Sequence, residues 1–276
     1  VALDVDGTVL GHDGRLSERV RSAVHAVADA GVHVVVASGR EVRGLLPVLD
    51  RLGLLDGWAV CSNGAVTIRL DPGLPDGFEV VHVVTFDTAP VLALLREHLP
   101  TALYAVEEVG VGLRLNAPFP PGELDGRVRV VPFDELAIRS PRVVVRAPER
   151  ARDEFLAQVE RIGLHGVSHV VGWSAWLDIA PEGVTKVTGL EEVRRRLDVD
   201  RAAVLAVGDG GNDLDMFAWA GRSVAMGQAL PEVRRAADQV TVGVTEDGLA
   251  VVLESLLVGG VRRRRPRRRH PRRWTT

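Results

Sequence analysis

The stretch VALDVDGT, residues 1–8, runs a set of apolar strand-forming residues into two aspartates and a glycine. Continuous apolar runs without alternation are expected where helices cover both faces of a parallel sheet. Gly7 signals that the strand stops there. The next segment, LSERVRSAVHAVADAG, starts a helix at Ser17, repeats Val20, Ala23, Val24, Val27 and Ala28 at three-to-four spacing and ends on Gly31. VHVVVAS (32–38) is a second continuous apolar run, so the first 38 residues read as a βαβ unit. A helix over 41–53 and a strand over 58–61 extend the pattern.

The same alternation returns late in the chain. It predicts a helix over 185–197, a strand AAVLAV (202–207), a short helix after Asn212, a strand SVAM (223–226), a helix near 231–237 and a closing helix after Gly248. Both ends therefore belong to one doubly wound α/β core, residues 1–80 and 182–260. Between them, 81–181 has a Pro- and Gly-rich cluster (APFPPGELDG), short strands such as RVVVR and helices near 88–99 and 149–162, which predicts an inserted α/β domain.

At 276 residues and 46% hydrophobic content the chain can bury a full core. No apolar run approaches the roughly 18 residues of a membrane helix, and the N-terminus lacks signal-peptide order, so a cytoplasmic location is expected. Val1 stands inside an apolar strand, so a start further upstream is expected as well. The single cysteine, Cys61, cannot form an internal disulfide and reads as a small buried apolar residue. The formal charge of −3 hides two unlike parts: residues 261–276 hold nine arginines and no acid, whereas the remainder sets 25 basic against 37 acidic residues. Such a tail cannot build a core and is expected to be solvated and disordered. Phosphate contacts through it are the basis of a nucleic-acid-binding reading, which no interleaved aromatic residues or recognition helix support.

Four stretches fall where a strand ends or a helix begins, the place where open α/β sheets bind ligands. In the first, Asp4 and Asp6 are spaced i, i+2, and Gly7 lets the second carboxylate swing toward the first. A turn or a cap accounts for one such acid and hardly for both, because a buried lone carboxylate is costly. The second, Ser38-Gly39-Arg40, offers a hydroxyl and free N–H groups; it reads as an anion site or as a plain N-cap. The third is Lys186, the one lysine among 34 basic residues, near a helix N-terminus where a cation gains nothing from the dipole. The fourth, GDGGND (208–213), follows an apolar strand; Asp213 spoils a dinucleotide fingerprint but suits an acidic metal loop.

Together DVDGT, the Ser38 of ASGR, Lys186 and GDGGND, in this order and at these intervals, resemble the four motifs of the haloacid dehalogenase superfamily, and within it the Cof-type (subclass IIB) phosphatases with an α/β cap. Softer matches are Ser62-Asn63-Gly64, Ala225-Met226-Gly227 and Glu246-Asp247-Gly248; Gln228 departs from the asparagine of that pattern. The resemblance implies a Mg²⁺-dependent phosphatase of a small soluble phosphomonoester, a sugar phosphate or a phosphorylated cofactor. It implies Asp4 as nucleophile, Asp6 as acid/base, and Ser38, Gly39, Lys186 and Asn212 as phosphoryl ligands. The Mg²⁺ ligands would be Asp4, the Asp6 carbonyl, Asp209 and Asp213. For its first step Asp6 must start protonated, and crowding by the other acids pushes it that way. A phosphomutase would use the same Asp4 chemistry and return the phosphoryl group to the product.

Weaker signals lie in the insertion. His165 and His169 would form a zinc pair only on a helix, which Gly166 and the strand-like VSHVV argue against. Trp173 and Trp176 read as packing within the insertion, and Asn63-Gly64 as a turn.

Overall fold

A computed structural model describes residues 1–124, 126–172 and 174–258. Trp173 and the arginine-rich 261–276 therefore lie outside the described residues. In chain order the first elements are β1 (Ala2–Leu3), α1 (Glu18–Asp29), β2 (Val35–Ala37), α2 (Val42–Leu52), β3 (Gly57–Cys61), β4 (Val66–Leu70) and β5 (Phe78–Val83). The insertion contributes β6 (Phe86–Asp87), α3 (Ala89–His98), β7 (Leu103–Glu108), β8 (Gly112–Leu115), β9 (Val128–Val130), β10 (Arg139–Ser140), β11 (Val143–Arg146), α4 (Arg152–Ile162), β12 (Val167–Val171) and β13 (Trp176–Pro181). The chain continues through α5 (Lys186–Arg196), β14 (Leu205–Gly208), α6 (Leu214–Trp219), β15 (Arg222–Ala225), α7 (Pro231–Ala236), β16 (Gln239–Val240) and α8 (Gly248–Val258).

The core is one eight-stranded sheet in the order β16-β15-β14-β1-β2-β3-β4-β5. The six strands from β16 to β3 are parallel, and β1 lies between β14 and β2. Helices cover both faces, as the continuous apolar runs require. On one face Val24 and Val27 of α1, Leu45 and Leu49 of α2 and Leu249 and Leu253 of α8 pack into one cluster with Leu3 and Val207. On the other, Leu190 and Val193 of α5, Met216 of α6 and Val233 of α7 pack against Ala2, Ala37 and Ala206. The α1 spacing works as read: Ser17 Oγ accepts from the Val20 N–H, and Val20, Ala23, Val24 and Val27 form the buried face.

Two local readings need correction. The strand predicted from residue 202 starts at Leu205, because Asp200 accepts from the Ala202 N–H and winds Arg201–Ala203 into a short 3₁₀ turn. The parallel sheet also carries an antiparallel edge: β4 returns along β3, and β5 along β4. The core sheet thus runs to Val83 rather than stopping near residue 80.

The second sheet has the order β12-β13-β11-β7-β8-β9 and is mainly antiparallel. Its alternation sorts side chains by face. Val143 and Val145 of β11 and Leu177 and Ile179 of β13 pack on α3 and α4 through Leu92, Leu95, Phe155 and Val159. Val144, Ala105, Leu113 and Leu115 form a smaller cluster with Phe119, Leu124 and Trp176 on the opposite face. His169 sits in β12 and His165 precedes it, so the two histidines share no helix face.

Helix α5 presses on β3 and β4 at Gly189, where an added Cβ would lie 2.6 Å from Val60 Cγ1 and 2.9 Å from Thr67 Oγ1. Gly189→Ala should destabilise the protein by about 1–3 kcal/mol in urea unfolding, since overpacking outweighs the gain in helix propensity. Equal or greater stability would show that α5 does not seat this closely.

Candidate active site

The four sequence motifs meet at the C-terminal edge of the core sheet. Asp4 follows β1, Ser38 follows β2, Asp209 follows β14 and Lys186 opens α5. Because β1 pairs with both β14 and β2, these ends are neighbours, and the Asp4 N–H donates to Val207 O at 3.0 Å. The edge is a crevice between diverging connections, as expected where strand order reverses.

Lys186 is fully buried at the centre of this edge. Its Nζ donates to Asp4 Oδ1 at 2.5 Å and to Asp213 Oδ1 at 2.7 Å. Asp213 is locked in turn, with Oδ2 accepting from the Asp209 and Gly210 N–H groups, both at 2.9 Å. Burial alone would lower the Lys186 pKa, but the carboxylates of Asp213 and Asp4 outweigh it and hold the ammonium above its ordinary range. Burial, then the charge of Asp213, pushes Asp4 well up against the pull of Lys186. Burial, reinforced by Asp213, pushes Asp209 up to about 6. Beyond burial, three carboxylates beside a single ammonium raise the two acids and the ammonium alike, so the cluster is short of positive charge.

Asp4, Asp209 and Asp213 are all buried, and each offers an oxygen within 4.8 Å of the others. An oxygen-only donor set of this charge fits a hard divalent cation better than zinc or copper. The first motif is shaped for the cluster. Gly7 has φ +90°, and a Cβ there would come 2.1 Å from Asp209 Oδ2.

Asp6 departs from the expectation. Its carboxylate turns away from the three acids and pairs with Arg40, NH2 to Oδ1 at 2.7 Å and Nε to Oδ2 at 3.0 Å, with the Asp6 side chain 55% exposed. The bend at Gly7 sends the second acid outward, so crowding by like charges is not what surrounds it.

The predicted phosphoryl ligands line the same edge. Ser38 is buried, with its N–H on Val60 O and its Oγ accepting from the Arg40 N–H at 3.1 Å. Asn212 Nδ2 donates to Asn63 Oδ1 at 2.9 Å, and Asn63 also packs against Gly39. Residues Ser62, Asn63 and Gly64 all have left-handed backbone, φ 52°, 51° and 100°. A Cβ on Gly64 would fall 1.8 Å from Thr185 O, so this turn is pressed against the residue that precedes Lys186. The Asn63-Gly64 turn therefore also places a side chain on the loops that carry Gly39 and Asn212, a contact that turn chemistry alone did not reveal.

Gln228 is a second residue that the sequence left unassigned. Its Nε2 donates to Gly7 O at 2.6 Å and to Asp209 Oδ2 at 3.2 Å, while its Oε1 accepts from the Val244 N–H. The amide thus ties the acidic cluster, through its nitrogen, to the backbone at Val244, through its oxygen.

Above the cluster lies a cleft of about 910 Å³, lined by Asp4, Asp6, Gly39, Asp209 and Asn212 from the core and by Leu113, Arg142, Trp176 and Asp178 from the second sheet. Trp176 serves both packing and the cleft: its ring meets Phe119 edge-on at 6.1 Å, and its Nε1 donates to Asp178 Oδ2.

A carboxyl raised on folding binds protons in the native state that the unfolded chain releases, so stability falls as pH rises between the two values. For Asp209 that window runs from the ordinary carboxylate range to about 6. The stability difference between wild type and Asp209→Asn, measured by urea unfolding in chelator, should shift against wild type by on the order of 2 kcal/mol between about pH 4.5 and 7. Divalent cation should restore wild type at the higher pH. A flat difference would contradict the crowding.

Residues 1–82 and 140–253 match the family model for haloacid dehalogenase-like hydrolases. Bacillus subtilis YxeH, provisionally named a phosphatase, is 26% identical over 94% of this chain and 98% of its own. The HMP-PP phosphatase of Yersinia pseudotuberculosis is 26% identical over 87% of this chain and 88% of its own. The solved structure of a subclass IIB sugar phosphatase shares the fold, with a TM-score of 0.76 and 22% identity over 92% of this chain and 97% of its own. No helix among the described residues is long and apolar enough to cross a membrane. The chain belongs to the haloacid dehalogenase-like hydrolases.

Proposed function

We propose that this chain is a Mg²⁺-dependent phosphatase that hydrolyses a small phosphomonoester, a sugar phosphate or a phosphorylated cofactor, through an aspartyl-phosphate intermediate on Asp4. The observation that carries the reading is the buried Asp4–Lys186–Asp213 chain, whose Asp4 lines the cleft. Lys186 holds Oδ1 of Asp4, which leaves the other oxygen to attack phosphorus from a fixed direction.

In the first step the Asp4 oxygen bonds to phosphorus, the ester P–O bond breaks, and the leaving oxygen takes a proton from Asp6. In the second, water bonds to phosphorus, its proton passes to Asp6, and the Asp4–phosphorus bond breaks. Ser38 Oγ, the Gly39 N–H and the Asn212 amide hold the other phosphoryl oxygens, and the Lys186 ammonium stabilises charge that builds during transfer. Asp6 reaches the leaving oxygen when its side chain exchanges Arg40 for the substrate. Asp4, Asp209, Asp213 and the Asp6 carbonyl would hold Mg²⁺, which would supply the positive charge that three acids and a phosphoryl group together require. The second sheet, which lines the cleft through Leu113, Trp176 and Asp178, acts as the cap over the leaving group.

Purified protein should release phosphate from an aryl phosphate only when Mg²⁺ is present, and Asp4→Asn should abolish release. Activity retained by Asp4→Asn would refute the assignment. Lys186→Arg should lower kcat by at least about a hundredfold, because a planar guanidinium cannot occupy the enclosed position of a compact ammonium between two carboxylates. A loss of less than about tenfold would show that the ammonium is not the stabilising charge.

A further inference from the structure

Glu107 is an acid where the second sheet calls for an apolar residue. In β7 it follows Ala105 at i, i+2, so it shares the face that Leu113 and Trp176 bring to the cleft, and it is fully buried. Its partner belongs to the core: Ser62 Oγ donates to Glu107 Oε2 at 2.5 Å, a buried bond between residues 45 apart. Glu107 Oε1 is buried without a hydrogen-bond partner. Burial, with the charges of Glu41 and Asp178, pushes Glu107 up to about 7 against the pull of Ser62 and Arg142. An apolar side chain would fill this position without the cost of burying a carboxyl group.

Ser62 stands where the two domains join. The Val84 N–H, on the connection into the insertion, donates to Ala65 O at 2.8 Å, and Ala180 and Val184, on the return, pack on Ala65. The left-handed backbone of Ser62, φ 52°, is a conformation that a residue with a side chain keeps only where its surroundings hold it. The Ser62 N–H donates to Arg40 O, and its hydroxyl is held by Glu107. Asn63 carries this geometry onward: its N–H donates to Ser38 O at 3.0 Å, its Oδ1 accepts from Asn212, and its amide lies beside Gly39.

We propose that Glu107 is a positioning residue: through its hydrogen bond to Ser62, the seated second sheet holds the Ser62-Asn63 turn, and with it Gly39 and Asn212, in the arrangement that binds the phosphoryl group. This rests on the phosphatase reading and adds a coupling to it. Glu107 itself touches no reacting atom. Such coupling is reciprocal, so an anion on these loops favours the seated sheet as much as the seated sheet favours the anion.

The test measures the Kd of orthophosphate with Mg²⁺ by calorimetry and kcat/KM for p-nitrophenyl phosphate, with urea unfolding as the control on folding. Glu107→Leu keeps the bulk and removes the acceptor; it should weaken orthophosphate binding by about tenfold, the worth of one hydrogen bond to a charged group, and lower kcat/KM in step. Glu107→Gln keeps a carbonyl oxygen for Ser62 Oγ and should stay within about threefold of wild type, as a neutral acceptor in place of a charged one. Ser62→Ala removes the same bond from the core side, and in Ser62→Ala/Glu107→Leu the two losses should not add. Wild-type affinity for orthophosphate in folded Glu107→Leu or Ser62→Ala overturns the proposal, as do additive losses or a Gln variant as weak as the Leu variant. Reduced urea stability with both readouts unchanged marks a merely structural acid and overturns it too. If Glu107→Leu does not fold, Ser62→Ala decides alone. If wild type binds orthophosphate but hydrolyses no ester, the phosphatase reading fails and the affinities still decide the coupling. Neither binding nor turnover by wild type overturns both.

Discussion

One buried ammonium organises this molecule. Lys186 lies between the carboxylates of Asp4 and Asp213, and each of the three comes from a different segment of the chain. Burying a charge is tolerable only with close partners, and removal of one partner from such a set leaves the others uncompensated. The ion pairs therefore tie the end of β1, the start of α5 and the loop after β14 into one unit. The glycines at the same edge follow from this: Gly7 makes room for Asp209, and Gly64 lets the turn after β3 lie against Thr185.

The same cluster explains why function concentrates here. Three acids around one ammonium leave the cluster short of positive charge. Such a site favours a divalent cation and an incoming phosphoryl group together, since each offsets the charge of the other. Asp213 contributes through position as much as through charge, because two backbone N–H groups fix its Oδ2 while its Oδ1 holds the lysine.

Much of this was legible in the sequence because it is local or compositional. The apolar runs after Val1 and before Ser38 announce buried parallel strands, GDGGND announces an acidic loop, and a lone lysine among 33 arginines marks its own position. The remainder depends on where side chains point after the chain has folded. Asp6 was expected to join Asp4, yet the bend at Gly7 delivers it to Arg40, 34 residues away. Gln228 reaches Gly7 across 221 residues and Asp209 across 19, which no local pattern encodes. The antiparallel β4–β5 edge was missed for a similar reason, because sheet partners are set by tertiary pairing and not by the strand's own residues.

The central claim is that Asp4 bonds to phosphorus while Lys186, held by Asp213, stays at its side. A crystal structure with Mg²⁺ and beryllofluoride, which mimics the phosphoryl group on a carboxylate, tests it most directly. The account predicts beryllium on the Asp4 oxygen that Lys186 does not hold, with the ammonium still bonded to Asp213 and in contact with Asp4 or the fluorides. Beryllofluoride on Asp6 or Asp209, or a Lys186 side chain that has left the cluster, would contradict it.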